Sequence, residues 1–375
     1  MPETITRSKF EYDPADIWVL DREDIDALEI GSAILGTGGG GNPYVGKLRA
    51  RQAIDDGFTL SVLPLDKVPD EACCVSLGGI GAPVVGYERI REGREGLRCV
   101  RAIEEMQGFP VDLIVCEEIG GSNAMEPLIV GGMTGLPVVD CDGMGRAFPE
   151  MQMTTYSIYG HTSTPSVMCD VHGNIVIFQH AVTELFHERM ARACVVAQGG
   201  GSDLASAPMT GTFLKKFAIP NSYTQAVSLG RAVIDAKRRH SDPIAAICER
   251  ENGRHVFSGK ITDLKRHLRG GFVVGETMLS GIDSHHGEDA SVLIQNENLV
   301  FTHEGEVAVS VPDLIVVLDI DSGHAITTEM LRYGQRVAIL ALPCHPLLQS
   351  PAALEVVGPK AFGFPDIVYR PVAGG

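Results

Sequence analysis

Residues 112–142 read DLIVCEEIGGSNAMEPLIVGGMTGLPVVDCD. Asp112 to Cys116 and Pro137 to Asp140 are short apolar runs of strand length, and a helix fits around Ala124 to Val130 between them. Strand, glycine-rich turn, helix and second strand make a βαβ unit, which requires a parallel sheet. Upstream the alternation continues: a strand is expected at Ala72 to Leu77, ending in Gly78-Gly79, and a helix at Glu95 to Met106. Asp21 can cap a helix through Ile25, Leu28, Ile34 and Leu35 that Gly36 stops. After Thr37-Gly38-Gly39-Gly40-Gly41, Asn42 is an N-cap type and Pro43 suits a first helical position, so a second helix runs to about Gly57.

Downstream, Thr183 to Arg192 reads as helix, Ala193 to Ala197 as a strand ending in Gly199-Gly200-Gly201, and Ser222 to Arg239 as helix. Beyond His240 the pattern changes to short β-rich runs. They are His255 to Phe257, Gly271 to Val274, Ala290 to Ile294, Leu299 to Thr302, Val307 to Val311, Leu314 to Leu318 and Arg336 to Leu342. Polar turns such as Gln295-Asn296-Glu297-Asn298 separate them, which suits a small barrel or sandwich. Pro351 to Pro359 can return as a short helix. The expected organisation is an α/β domain over residues 1–244, a β-rich domain over 245–340, and a segment over 341–375 that packs back on the α/β domain. A chain of 375 residues exceeds the roughly 250 to 300 at which a single core stops growing.

The formal charge is −17, from 48 acidic and 31 basic residues, a field that repels nucleic acid and anionic lipid. No stretch reaches 18 uninterrupted apolar residues, and Met1 to Asp13 is polar, so neither secretion nor membrane spanning is expected. Nine cysteines without a CxxC spacing fit buried thiols in a reducing cytosol. The expected setting is cytoplasmic, with a small-molecule substrate and a homo-oligomeric assembly.

In a parallel sheet, ligands bind beyond the carboxyl ends of the strands. The loops there hold Gly78-Gly79, Glu117-Glu118-Ile119-Gly120-Gly121-Ser122-Asn123, Asp140-Cys141-Asp142 and Gly199-Gly200. Glu117, Asp140, Asp142 and Glu150 are the candidate catalytic carboxylates, expected to converge on one pocket and to share a proton or hold a divalent ion. Thr37, Gly38, Gly39, Gly40, Gly41 and Asn42 could gather backbone N–H groups into an anion nest at a helix N-terminus. Gly78, Gly79, Glu118, Gly120, Gly121, Asn123, Gly199 and Gly200 complete the expected substrate-binding set. Arg146 joins them, either clamping a substrate carboxylate or neutralising the acids. His180, Glu184 and His187 could be metal ligands on one helix face, although an exposed polar face is the preferred reading. No serine, histidine and aspartate stand in an order that nominates a triad.

With these residues in view, the sequence resembles the S-methyl thiohydantoin desulfurase family. The resemblance lies in Gly38 to Pro43, Glu117 to Asn123, DCDGMGRAFPEMQM at Asp140 to Met153, and VGPKAFG at Val357 to Gly363. It implies an N-terminal α/β sandwich with a mostly parallel sheet and a smaller C-terminal β-rich, barrel-like domain. It also implies hydrolytic removal of the sulfur substituent from a hydantoin-like ring, and an association with hydantoinase and oxoprolinase enzymes. No redox cofactor is required, and a divalent metal could activate the water. A non-catalytic partner subunit of such a complex and a ring-opening cyclic amidase are the alternatives.

Overall fold

The computed structural model describes residues 8–82, 85, 89, 91–269 and 272–372. Met1 to Arg7, in the polar N-terminal stretch, and Gly271, where one expected strand begins, lie outside them. The first sheet contains β1 (Trp18–Val19), β2 (Ser61–Leu63), β3 (Cys73–Gly81), β4 (Leu113–Cys116) and β5 (Val138–Val139). A short β6 (Cys141–Asp142) pairs elsewhere, while β7 (Ser166–Asp170), β8 (Ile175–Phe178), β9 (Gly201–Ala205) and β10 (Met209–Thr210) return to the first sheet. Its order is β1-β2-β5-β4-β3-β9-β7-β8, with β10 also paired to β3. The strands β2, β5, β4 and β3 are parallel, and β9, β7 and β8 extend the sheet antiparallel from β3.

The helices start where their caps require. Asp21 and Asp24 form a reciprocal capping box on α1 (Arg22–Leu35), and Asn42 and Pro43 open α2 (Pro43–Asp55). They are followed by α3 (Glu95–Gln107), α4 (Met125–Thr134), α5 (Thr155–Ile158), α6 (Glu184–Ala197), α7 (Gly211–Phe217), α8 (Ser222–Arg238), α9 (Pro243–Glu251) and α10 (Pro351–Val357). Leu97 and Val100 of α3 belong to the core on one face of the sheet, with Val167, Cys169 and Ala205. Ala191 and Val195 of α6 meet Met168 and Leu204 on the other. Alternate residues of β7 and β9 thus point to opposite helix layers, which is the α/β sandwich. No helix among the described residues is long and apolar enough to cross a membrane.

One expectation is corrected. Ala193 to Ala197 is the last turn of α6, and the strand lies beyond the glycines, at Gly201–Ala205. Ala191 and Val195 are buried at helical spacing and no breaker precedes Ala193, so the apolar run extends the helix.

After β11 (Ile219–Pro220), which pairs with β6, the second sheet is wholly antiparallel. It comprises β12 (Arg254–Arg269), β13 (Phe272–Gly281), β14 (Asp289–Gln295), β15 (Glu297–His303), β16 (Glu306–Ser310), β17 (Leu314–Asp319) and β18 (Arg336–Leu342). The order β16-β15-β14-β13-β12-β18-β17 curls into a half-barrel, and the Asn298 side-chain amide on β15 donates to Ile315 O on β17 at 2.9 Å. Phe257, Phe301, Ile315 and Ile339 fill one face. Val300, Val316, Leu318 and Leu340 on the other join the same core as Leu28, Val227 and Val233 of α1 and α8. Each such side chain contributes about 1.5–3 kcal/mol of burial, so this shared core is what holds the two sheets together. The C-terminal segment reaches the α/β part through Tyr159 Oη, 2.7 Å from Leu347 O, and through Phe362 stacked on Phe148.

Candidate functional site

A cavity of about 1160 Å³ opens beyond the carboxyl ends of β3 and β4. The α/β part supplies Gly40, Gly41, Asn42, Gly79, Glu117, Glu118, Asn123 and Glu150 to its wall, and the half-barrel supplies Asn296 and Glu297. It therefore lies where the two sheets meet.

Glu118 is 7% exposed, with Asn123 Nδ2 donating to Oε1 and Phe148 N to Oε2 at 3.2 Å. The amide of Asn123 is oriented by its other end, since Oδ1 accepts from Gly79 N at 2.8 Å. Burial pushes Glu118 well above the usual carboxylate range, and the charge of Glu297 adds to it. Glu297, at the start of β15, is 2% exposed, and its Oε2 has no hydrogen-bond partner. Burial raises it to about 8, against the attraction of Arg146 and the N–H of Gly40. Glu117 rises to about 7, first through burial, with the Ser76 hydroxyl opposing. Three carboxyls of this cavity thus titrate above the range of ordinary carboxylates.

The glycine turn shows why two of its residues lack side chains. A Cβ on Gly39 would come within 1.9 Å of Glu297 Oε1, and one on Gly40 within 2.2 Å of Gly120 O. Thr37 O and Gly38 O accept from Asn298 N and Thr328 N of the second half, and Gly40 O accepts from Ser122 N. The turn is therefore a backbone joint between three loops. It packs against the Glu297 carboxyl at Gly39, while Gly40, Gly41 and Asn42 line the cavity.

Other expected residues separate here. Asp140 caps α8, accepting from Tyr223 N at 2.8 Å and Thr224 Oγ1 at 2.6 Å. Asp142 accepts from Ile119 N, Met144 N, Gly145 N and Ser222 Oγ at 2.5–3.1 Å and is fully buried, although burial still raises it to about 6. Neither lines the cavity, so the expected convergence of Asp140 and Asp142 with Glu117 and Glu150 is corrected. Their oxygens are taken up by backbone and hydroxyl donors, which leaves them without a free coordinating edge.

Arg146 is also fully buried. It donates to the carbonyls of Ala147, Pro312, Asp313 and Asn298 and to Thr37 Oγ1, and its plane lies over Phe148. It pins the two halves from behind the acid wall, and no donor is left for a substrate carboxylate. Glu150 is on the wall, raised by burial, with a hydrogen bond from Gln152. Thr37, Gly38, Gly39, Gly78, Gly120, Gly121, Gly199 and Gly200 stand behind the lining or beside it.

Two charged groups of the site carry no signal in the sequence. Glu297 was read as part of a polar turn, and nothing near it signals burial, because Gly39 and Gly40 lie more than 250 residues away in the chain. A second charged wall joins Arg91 to Asp203 and Arg49 to Glu126. Arg91 also lies beside Gly79, where Asn123 packs as well. Burial raises Asp203 to about 7 against the attraction of Arg91.

His180, Glu184 and His187 do not share an exposed face. His180 precedes α6, and His187 points inward, with Nε2 2.7 Å from Ser166 Oγ and Nδ1 3.9 Å from Glu184. Ser166 and His187 are both fully buried. Among the described residues no group of three or more His, Cys, Asp or Glu is arranged to hold a metal ion. All nine cysteines are free thiols, seven of them buried.

Two family models match the chain. The model described as S-Me-THD-like, N-terminal domain, matches residues 23–180, and the S-Me-THD-like, C-terminal domain, matches residues 182–372. Among curated proteins none matches. A crystal structure of a protein from Chromobacterium violaceum, a structural-genomics target, is similar in fold, with a TM-score of 0.78. The two share 23% identity over 95% of this chain and 100% of that one.

Proposed function

The chain belongs to the S-Me-THD-like family, and from that membership and the acid wall we propose that it hydrolyses the S-methyl group from a thiohydantoin-type ring. The observation that carries this reading is the set of carboxyls Glu117, Glu118 and Glu297, which line one cavity and are all raised above the ordinary carboxylate range. A neutral carboxylic acid can donate to a weakly basic ring nitrogen, and a carboxylate that titrates near 7 can accept from water.

In this reading Glu118 or Glu297 donates its proton to the ring nitrogen while water adds to the carbon that bears sulfur. The water proton passes to Glu117. Collapse of the tetrahedral carbon expels the thiolate, which takes the proton from Glu117. The remaining hydroxyl proton returns to the acid, leaving methanethiol, a hydantoin carbonyl and the original protonation states. The free thiols suit a reducing cytosol.

The test is a panel of S-methyl thiohydantoin, thiohydantoin, hydantoin and oxoproline, with thiol release and ring opening both followed. Methanethiol and hydantoin are expected from the first compound alone. The rate should rise through about pH 7 as Glu117 ionises and fall through about pH 8 as Glu297 loses its proton. Ring opening of hydantoin or oxoproline would make it a cyclic amidase. Turnover only after a hydantoinase or oxoprolinase is added would replace the reading with that of a partner subunit.

A further inference from the structure

Between Ile175 and Val196 the surface is unusually apolar. Ile175, Ile177, Val182, Leu185, Phe186, Met190 and Val196 are each 39 to 82% exposed. Val182 precedes α6, and Leu185, Phe186, Met190 and Val196 line its outer side, whose inner side, Ala191 and Val195, is packed on the sheet. Ile175 and Ile177 belong to β8, the edge strand of the first sheet, which among the described residues pairs only with β7. The strand reads Ile-Val-Ile-Phe, without the lysine, proline or charge that normally guards such an edge.

We propose that this surface joins two copies of the chain about a twofold axis through β8. The copy is favoured over a foreign partner by three properties of the patch. Antiparallel pairing of a strand with itself is self-complementary, so it satisfies both sets of free backbone groups at once. Ile175 and Ile177 would then meet their counterparts on one side of the joined sheet, while the N-terminal halves of the two α6 helices, which follow β8 directly, meet on the other. The exposed apolar side chains lie on both sides of this edge, Ile175 and Ile177 on one and Leu185, Phe186 and Met190 of α6 on the other, so a single pairing covers both. Charge agrees as well. A molecule of net charge −17 repels its own copy, but the outer positions of this patch carry no acid, and Arg189 is their one cation, lying over Phe186.

Sedimentation equilibrium of the full chain over a micromolar concentration series tests this. The wild type is expected at about twice 40.2 kDa. The double variant Ile177→Lys/Phe186→Asp is expected at the single-chain mass with unchanged circular dichroism. Val182→Asp, at a side chain that packs on little within the chain, should by itself raise the dissociation constant about tenfold or more, and it decides the matter should the double variant fail to fold. Phe109→Asp, exposed outside the patch, should leave the dimer intact. A wild type that sediments as one chain, as a membrane or foreign-protein contact would require, overturns the proposal. So does a dimer that both patch variants form as tightly as the wild type.

Discussion

Asp140 and Asp142 differ from Glu118 and Glu297 in how many donors reach them. All four carboxyls are buried within the same acidic region of the molecule. Asp142 meets four donors and Asp140 three, and both stand outside the cavity. Glu118 has two, and one oxygen of Glu297 has none, yet both face the cavity. A buried carboxyl whose oxygens are filled by the chain holds loops together. One left partly unfilled beside an open volume costs stability, and in this reading that cost is kept for a ligand.

Breaking the first pair should destabilise the fold, and breaking the second should not. Asp142→Ala removes the acceptor for three N–H groups and a hydroxyl, and is expected to cost about 3 kcal/mol or more. Asp140→Ala removes the cap of α8 and is expected to cost about 1–2 kcal/mol. Urea titration of both variants checks this. Equal midpoints for Asp142→Ala and the wild type would show that the donor count carries no energetic weight.

A smaller effect sharpens the contrast. Glu297 is raised from an ordinary 4.5 to about 8, so its neutral form suits the fold. Its contribution to stability is fully present below the unfolded value and is lost as pH rises through about 8. Glu297→Gln cannot ionise. Its Tm, relative to wild type, should therefore climb between about pH 5 and about pH 9 by about 2 °C or more. A difference that stays flat with pH would mean that Glu297 is ionised in the fold throughout.

Much of the architecture was legible because local chemistry decides it. Asp21 and Asn42 cap the helices they precede, Pro43 opens the second of them, and the alternation from Ala72 to Asp140 yields the parallel strands that bring Gly79 and Glu117 to one edge. The site was legible only in part. Asp140 and Asp142 lie at the expected edge, but the donors to Asp140, Tyr223 and Thr224, and one of those to Asp142, Ser222, come from α8, some 80 residues on. Glu297 crosses from the other sheet, and its burial depends on a glycine turn near the other end of the chain. Residue type and spacing report what a side chain can do, whereas burial from distant segments decides whether its oxygens are free to do it.

The central claim is that the half-filled carboxyls are the chemical ones, and the most direct test is methanethiol release from an S-methyl thiohydantoin by Glu118→Gln and Glu297→Gln beside the wild type. A fall in turnover of about 100- to 10,000-fold, with melting temperature unchanged or raised, is the expected result. Wild-type turnover in both variants would contradict it and remove the acid wall from the chemistry.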